Sequence, residues 1–205
     1  MTETTTRARV PLAFFVFFVF AMEATPAEAH LNSTGMGPIY DGMMHFLLSP
    51  EDISPVLALA LLAGLRGTSY GRRALFVLPV AWFVGGLLGS ITTASNGGTV
   101  LSATSFLLFG GLLALDAKLS LRITTVLAVL LGLYHGFFNG VGMGPFGLAT
   151  LALLGLASAV FVLVALSTAF VVQLRAHWAR TAVRVAGSWI AACGLLMMGW
   201  AFRNR

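Results

Sequence analysis

This sequence predicts an all-α fold: a polytopic bundle of about six transmembrane helices behind a signal peptide. Three observations predict it. Of the 205 residues, 58% are hydrophobic and 9% charged, whereas a soluble domain carries about 25% charged residues. Six apolar segments of helical length follow one another, separated by short polar breaks. The basic residues lie singly or in pairs between those segments, as orientation charges do in membrane proteins. The net charge of +5 therefore gives no reason to expect a nucleic-acid partner.

Residues 1–29 read as a secretory signal peptide. Arg7 and Arg9 make a basic start. The stretch from Val10 to Met22 is apolar but short for a span, and Ala27-Glu28-Ala29 is an A-x-A cleavage signature. An uncleaved anchor helix is the alternative. Cleavage after Ala29 would make His30 the first residue of the mature chain, with an α-amine and an imidazole close enough to chelate one metal. The competing reading is that the processing site merely happens to precede a histidine. Residues 30–205 form a single membrane domain, since no long linker, charge block or low-complexity segment marks a second one.

The expected helices cover 52–65, 73–91, 98–115, 121–141, 146–174 and 181–202. A span needs about 20 apolar residues, so the first is short. Residues 39–48 can complete it as a broken partner across Ser49-Pro50. The fifth is long enough to tilt. With the mature N-terminus outside, the inner loops hold Arg66, Arg72 and Arg73, then Lys118 and Arg122, then Arg175, Arg180 and Arg184. The outer loops at 92–97 and 142–145 carry no charge. That asymmetry fits the positive-inside preference, with Arg203 and Arg205 as exceptions. The expected location is the bacterial inner membrane, with the bilayer as the solvent partner.

Past the signal peptide the chain keeps four acidic residues, and three of them, Asp41, Glu51 and Asp52, fall within YDGMMHFLLSPED together with His45. Ionisable groups at a bilayer are costly and read as a functional site. Helix capping competes for two of them: Ser49 suits an N-cap, Pro50 suits N1, and acids at the next two positions suit the helix dipole. Capping leaves Asp41 and His45 without a reason. In the fourth segment His135 and Asn139 are four apart and share a face. Gly132, Gly136 and Gly140 form a small-residue stripe that lets another helix approach closely. A buried histidine bonded to a carbonyl is the plain alternative for His135. Asp116 reads as a loop charge that serves topology or a surface pair.

Imidazole with carboxylate and no thiolate suits nickel, cobalt, zinc or copper(II). Cys193 sits alone in an apolar run and offers neither a disulfide nor a thiolate site. The eight methionines follow no ligand pattern and read as packing. No phosphate loop is present, so any transport is passive or driven by an ion gradient. An intramembrane enzyme is disfavoured, because Ser90, Ser95, Ser102 and Ser105 lack a nucleophile context.

These features resemble the HupE/UreJ family, membrane proteins that accompany hydrogenase and urease and are regarded as nickel permeases. The family's first motif is a histidine, five residues, then Asp-His. HFLLSPED supplies His45, five residues, then Glu51 for the aspartate and Asp52 for the second histidine. The second motif resembles Phe-His-Gly-x-Ala-His-Gly-x-Glu. YHGFFNGVG keeps His135, Gly136 and Gly140, while Asn139 replaces the second histidine and Gly142 the glutamate. The resemblance implies a permease that transports Ni2+, or Co2+, with no permanently bound cofactor. Its metal residues would be His45, Glu51, Asp52 and His135, with Asp41, Asn139 and His30 behind them. A non-transporting accessory protein that works with metalloenzyme maturation proteins is the alternative.

Overall fold

The computed structural model describes residues 34–92, 99–143 and 148–203, all of whose regular structure is helical. Residues 1–29, read above as a signal peptide, and His30 lie outside the described residues. Seven helices follow in order: α1 (Pro38–Leu48), α2 (Pro50–Arg66), α3 (Thr68–Ser90), α4 (Thr99–Ala114), α5 (Leu121–Met143), α6 (Leu148–Val172) and α7 (His177–Arg203). Each of the six expected segments is present as a helix.

Four of the helices, α3, α5, α6 and α7, are long and apolar enough to cross a membrane. The pair α1 and α2 passes the same test as one broken unit, bent by 76° at Ser49. The two segments expected to make up the first span are thus both helical and meet in a sharp elbow at Ser49. The remaining helix, α4, has 16 residues, and at 1.5 Å per residue is about 24 Å long, short of a full hydrocarbon core.

α2 is the axis of the bundle. Ten consecutive apolar or small residues from Val56 to Leu65 include only buried positions apart from half-buried Leu57. A helix apolar all round must be packed all round, and α2 touches every other helix. It begins where Pro50 sets the first turn and ends at Gly67, whose φ of 115° is open to glycine and closed to most side chains.

Around this axis three helix pairs are drawn together by glycine. A Cβ at Gly42 of α1 would strike the Ala152 carbonyl of α6, and one at Gly155 would strike the Ile39 carbonyl in return. α4 and α7 meet in the same way at Gly110, Gly187 and Gly194. The most extensive of these contacts joins α3 and α5. There the expected stripe of Gly132, Gly136 and Gly140 faces Leu78, Trp82 and Gly86, while Gly85 and Gly89 face back onto Leu133 and Phe137. Lipid tails are as apolar as the helices, so hydrophobicity alone does not bring helices together in a bilayer; close backbone packing does.

At its C-terminal end α2 is tied down by polar contacts. Arg66 pairs with Asp116 in the turn after α4. Arg180 donates to the Leu65 carbonyl at 3.1 Å, and Tyr70 donates to that of Leu119 at 3.2 Å. Asp116 therefore joins two distant parts of the chain rather than pairing with its loop neighbours Lys118 and Arg122.

Candidate functional site

The N-terminal end of α2 holds the site. Ser49 occupies the N-cap position, but its hydroxyl makes no capping bond and donates instead to the His45 carbonyl at 2.6 Å. That bond stitches the elbow between α1 and α2. The two acids that follow part company. Glu51 is exposed, while Asp52, one residue on, points into the bundle and is 4% exposed. Dipole complementarity explains an acid in the first turn but not its burial.

Asp52 is buried because α5 meets it. The glycine stripe brings α5 against α3 and fixes the neighbouring face, which carries His135 and Asn139. His135, 3% exposed, places Nδ1 2.8 Å from Asp52 Oδ1. Asn139 donates from Nδ2 to the other carboxylate oxygen at 3.0 Å and to the His135 carbonyl at 2.8 Å. Both carboxylate oxygens are thus engaged by one helix, from residues more than eighty positions away. Burying a charge in this way is tolerable only when it is paired and hydrogen-bonded.

Two further residues complete the site, and neither stands out in the sequence. Ser105 of α4 lies with Oγ 3.1 Å from His135 Nε2. Trp82 of α3, fully buried, lies over the imidazole with ring centroids 5.5 Å apart and planes 32° apart. Phe46, next to His45 in α1, meets Trp82 edge-on at 5.8 Å. Two buried polar atoms of this site, Asn139 Oδ1 and Trp82 Nε1, have no hydrogen-bond partner among the described residues.

Proton inventory limits the site to two arrangements. Ser105 has one hydroxyl proton, and its oxygen also lies 2.7 Å from the Ser102 carbonyl. If that proton goes to the carbonyl, Nε2 must donate, and one further proton lies between Nδ1 and Asp52, as imidazolium with carboxylate or as neutral imidazole with carboxylic acid. If it goes to Nε2, His135 is neutral and Nδ1–H donates to Asp52. In either case Asp52 fixes the ring, as carboxylates do behind metal-binding histidines.

Asp52, His135 and Ser105 also line up like an acyl-transfer triad, but the surroundings do not support that chemistry. Ser105 lies inside α4, where the backbone N–H groups near it are taken by the helix. No backbone oxyanion donor is left beside it among the described residues, and its hydroxyl bonds the Ser102 carbonyl.

The remaining expected residues stand apart from this pair. His45 is half-buried on α1 and Glu51 exposed on α2, and neither side chain has a hydrogen bond among the described residues. Asp41 shares the His45 face of α1, but one of its carboxylate oxygens accepts from the Thr34 backbone N–H at 2.5 Å and from the Thr34 hydroxyl at 2.7 Å. Among the described residues, no three His, Cys, Asp or Glu side chains converge as they would around a metal ion. The structure therefore joins Asp52, His135 and Asn139, and leaves His45, Glu51 and Asp41 separate from them.

Residues 10–197 match the model of a family described as HupE / UreJ protein. No curated protein and no solved structure matched the chain.

Proposed function

The chain belongs to the HupE / UreJ family, and from that premise we propose that it is an inner-membrane permease for a divalent transition cation, nickel first and cobalt second. The single observation that carries this reading is the buried Asp52–His135 pair, 2.8 Å apart between two apolar helices. A membrane protein that buries one carboxylate against one imidazole has placed its costliest groups where a cation would travel.

The donor set supports a cation of borderline character. Asp52 offers oxygen, His135 nitrogen, and Asn139 a buried amide oxygen that has no donor facing it among the described residues. Imidazole favours nickel, cobalt, copper or zinc over magnesium or calcium. With Nδ1 held by Asp52, the nitrogen open to exchange is Nε2, and Ser105 is the group a cation would displace. A ligand must give up its proton to bind metal, so loading this site expels a proton or a hydrogen bond. Two strong ligands bind weakly, which suits a site that must release its ion. His45 and Glu51, on the rim of the same end, would serve as the capture station, with Asp41 as a weaker candidate on α1. The basic loops at the far end of α2 support a cytoplasmic position for that end by the positive-inside preference.

Flux into proteoliposomes tests the proposal. Purified full-length protein should admit nickel or cobalt above empty vesicles, and His135→Gln should abolish the flux while inserting normally. Metal binding without flux would replace the permease by an accessory protein that presents metal to a maturation partner.

A further inference from the structure

The opposite end of the bundle carries a site of different chemistry. A cleft of about 440 Å³ opens between the C-terminal turn of α2, the start of α3, the α4–α5 turn and the start of α7. Its charged lining is Arg66, Lys118 and Arg180 against a single carboxylate, Asp116. Orientation charges need only lie on the correct side of a membrane. They have no reason to converge on one concave surface from three separate segments, as these do.

Two bonds hold the lining in place. Arg66 is paired to Asp116, and Arg180 is anchored through one guanidinium nitrogen to the Leu65 carbonyl. Arg180 thereby keeps its other donors, and Lys118 is exposed at the rim. Arg66 Nε is buried and has no acceptor among the described residues. The C-terminal dipole of α2 carries partial negative charge, yet it is already met by Arg66 and by the Arg180 bond. The cleft thus has surplus positive charge, open donors on Arg180 and Lys118, and a polar wall.

We propose that this cleft binds a phosphate-bearing anion. Guanidinium forks match phosphate oxygens, and a lysine adds a point charge at the rim. Basic pockets between helix ends at the cytoplasmic face take anionic lipid headgroups, so a membrane phosphodiester is the source that the location favours. A soluble phosphate offers the same chemistry.

The test uses the full-length protein in detergent, with and without added ligand. Native mass spectrometry would count retained phosphatidylglycerol or cardiolipin against phosphatidylcholine, and inorganic phosphate would be titrated by calorimetry. Lys118→Glu is the informative variant, because an exposed side chain can change without disturbing packing, and an unaltered unfolding midpoint without ligand would establish that. Arg203→Gln, at the other end of α7, controls for net charge. Each cation removed should weaken anionic binding about fivefold, and reversal to glutamate should weaken it more. Lys118→Arg should restore it, and Arg203→Gln should leave it unchanged. Retention of anionic lipid with this pattern identifies a lipid headgroup. Phosphate binding alone with the same pattern identifies a soluble anion. Equal retention of charged and zwitterionic lipid with no phosphate heat, or binding indifferent to Lys118→Glu, overturns the proposal.

Discussion

The two ends of α2 handle charge in opposite ways. At the N-terminal end a single carboxylate, Asp52, is sealed from solvent and has both oxygens bonded by α5. At the C-terminal end Arg66 pairs with Asp116 in an open cleft, with side chains 13% and 29% exposed and other cations nearby. Both ends satisfy the helix dipole, acids first and bases last. They differ in what burial demands. A charge without water must find specific partners, whereas a charge beside water needs only the right side of the membrane. The first end is therefore built from exact side chains and the second tolerates exchange.

The largest effects should come from breaking the buried pair. Asp52→Ala or His135→Ala strands a partner in the bundle and should cost roughly 3–5 kcal/mol of unfolding free energy in detergent. The double variant should cost less than the sum of the two, because it removes both groups at once. Additive losses would show that the pair is not coupled.

Next comes the packing that sets the pair's geometry. Gly136→Val places a side chain against the Trp82 carbonyl, and overpacking of this kind costs about 1–3 kcal/mol. Gly142→Ala, whose Cβ meets nothing within 4 Å, should stay within about 0.5 kcal/mol of wild type. Similar losses at the two glycines would remove close α3–α5 contact as the cause.

A smaller effect is expected at Ser105→Ala, which takes away the Nε2 partner and leaves Asp52 in place. The cost should be about 1–2 kcal/mol, with metal uptake retained, since a cation at Nε2 displaces that hydroxyl anyway. Uptake lost as completely as in His135→Ala would make Ser105 a ligand in its own right.

The smallest effect belongs to the other end. Asp116→Asn removes the charge while keeping a residue that tolerates the φ of 50° found there. A partly exposed ion pair is worth about 1 kcal/mol or less. A cost equal to that of breaking the buried pair would erase the contrast between the two ends.

Helix placement was legible because apolar runs and glycine spacing are local. The fourth expected segment, 121–141, differs from α5 by two residues. Helix starts were less so: α3 begins at Thr68, five residues before the expected start, because Arg72 and Arg73 look like loop charges yet sit in its second turn. The value of Gly132, Gly136 and Gly140 was readable from spacing, but their partner helix was not. His135 and Asn139 were identified from their shared face. Their pairing with Asp52 was not, since depth in a membrane narrows the candidates without choosing among them. Ser105 and Trp82 gave no signal. One serine in an apolar helix most often bonds a preceding carbonyl, as Ser105 does, and one tryptophan most often packs. Ser49 is the N-cap, Pro50 opens the helix and the two acids sit in its first turn as expected, but the Ser49 hydroxyl donates back to the His45 carbonyl and makes no capping bond.

The most direct test is metal content in cells that lack their own nickel uptake, measured by elemental analysis at matched membrane levels of wild type, Asp52→Asn, His135→Gln and the paired variant. Nickel or cobalt should accumulate with wild type only, and the paired variant should be no worse than either single one, because one buried site acts as a unit. Accumulation undiminished in His135→Gln would contradict the buried pair as the route for the ion.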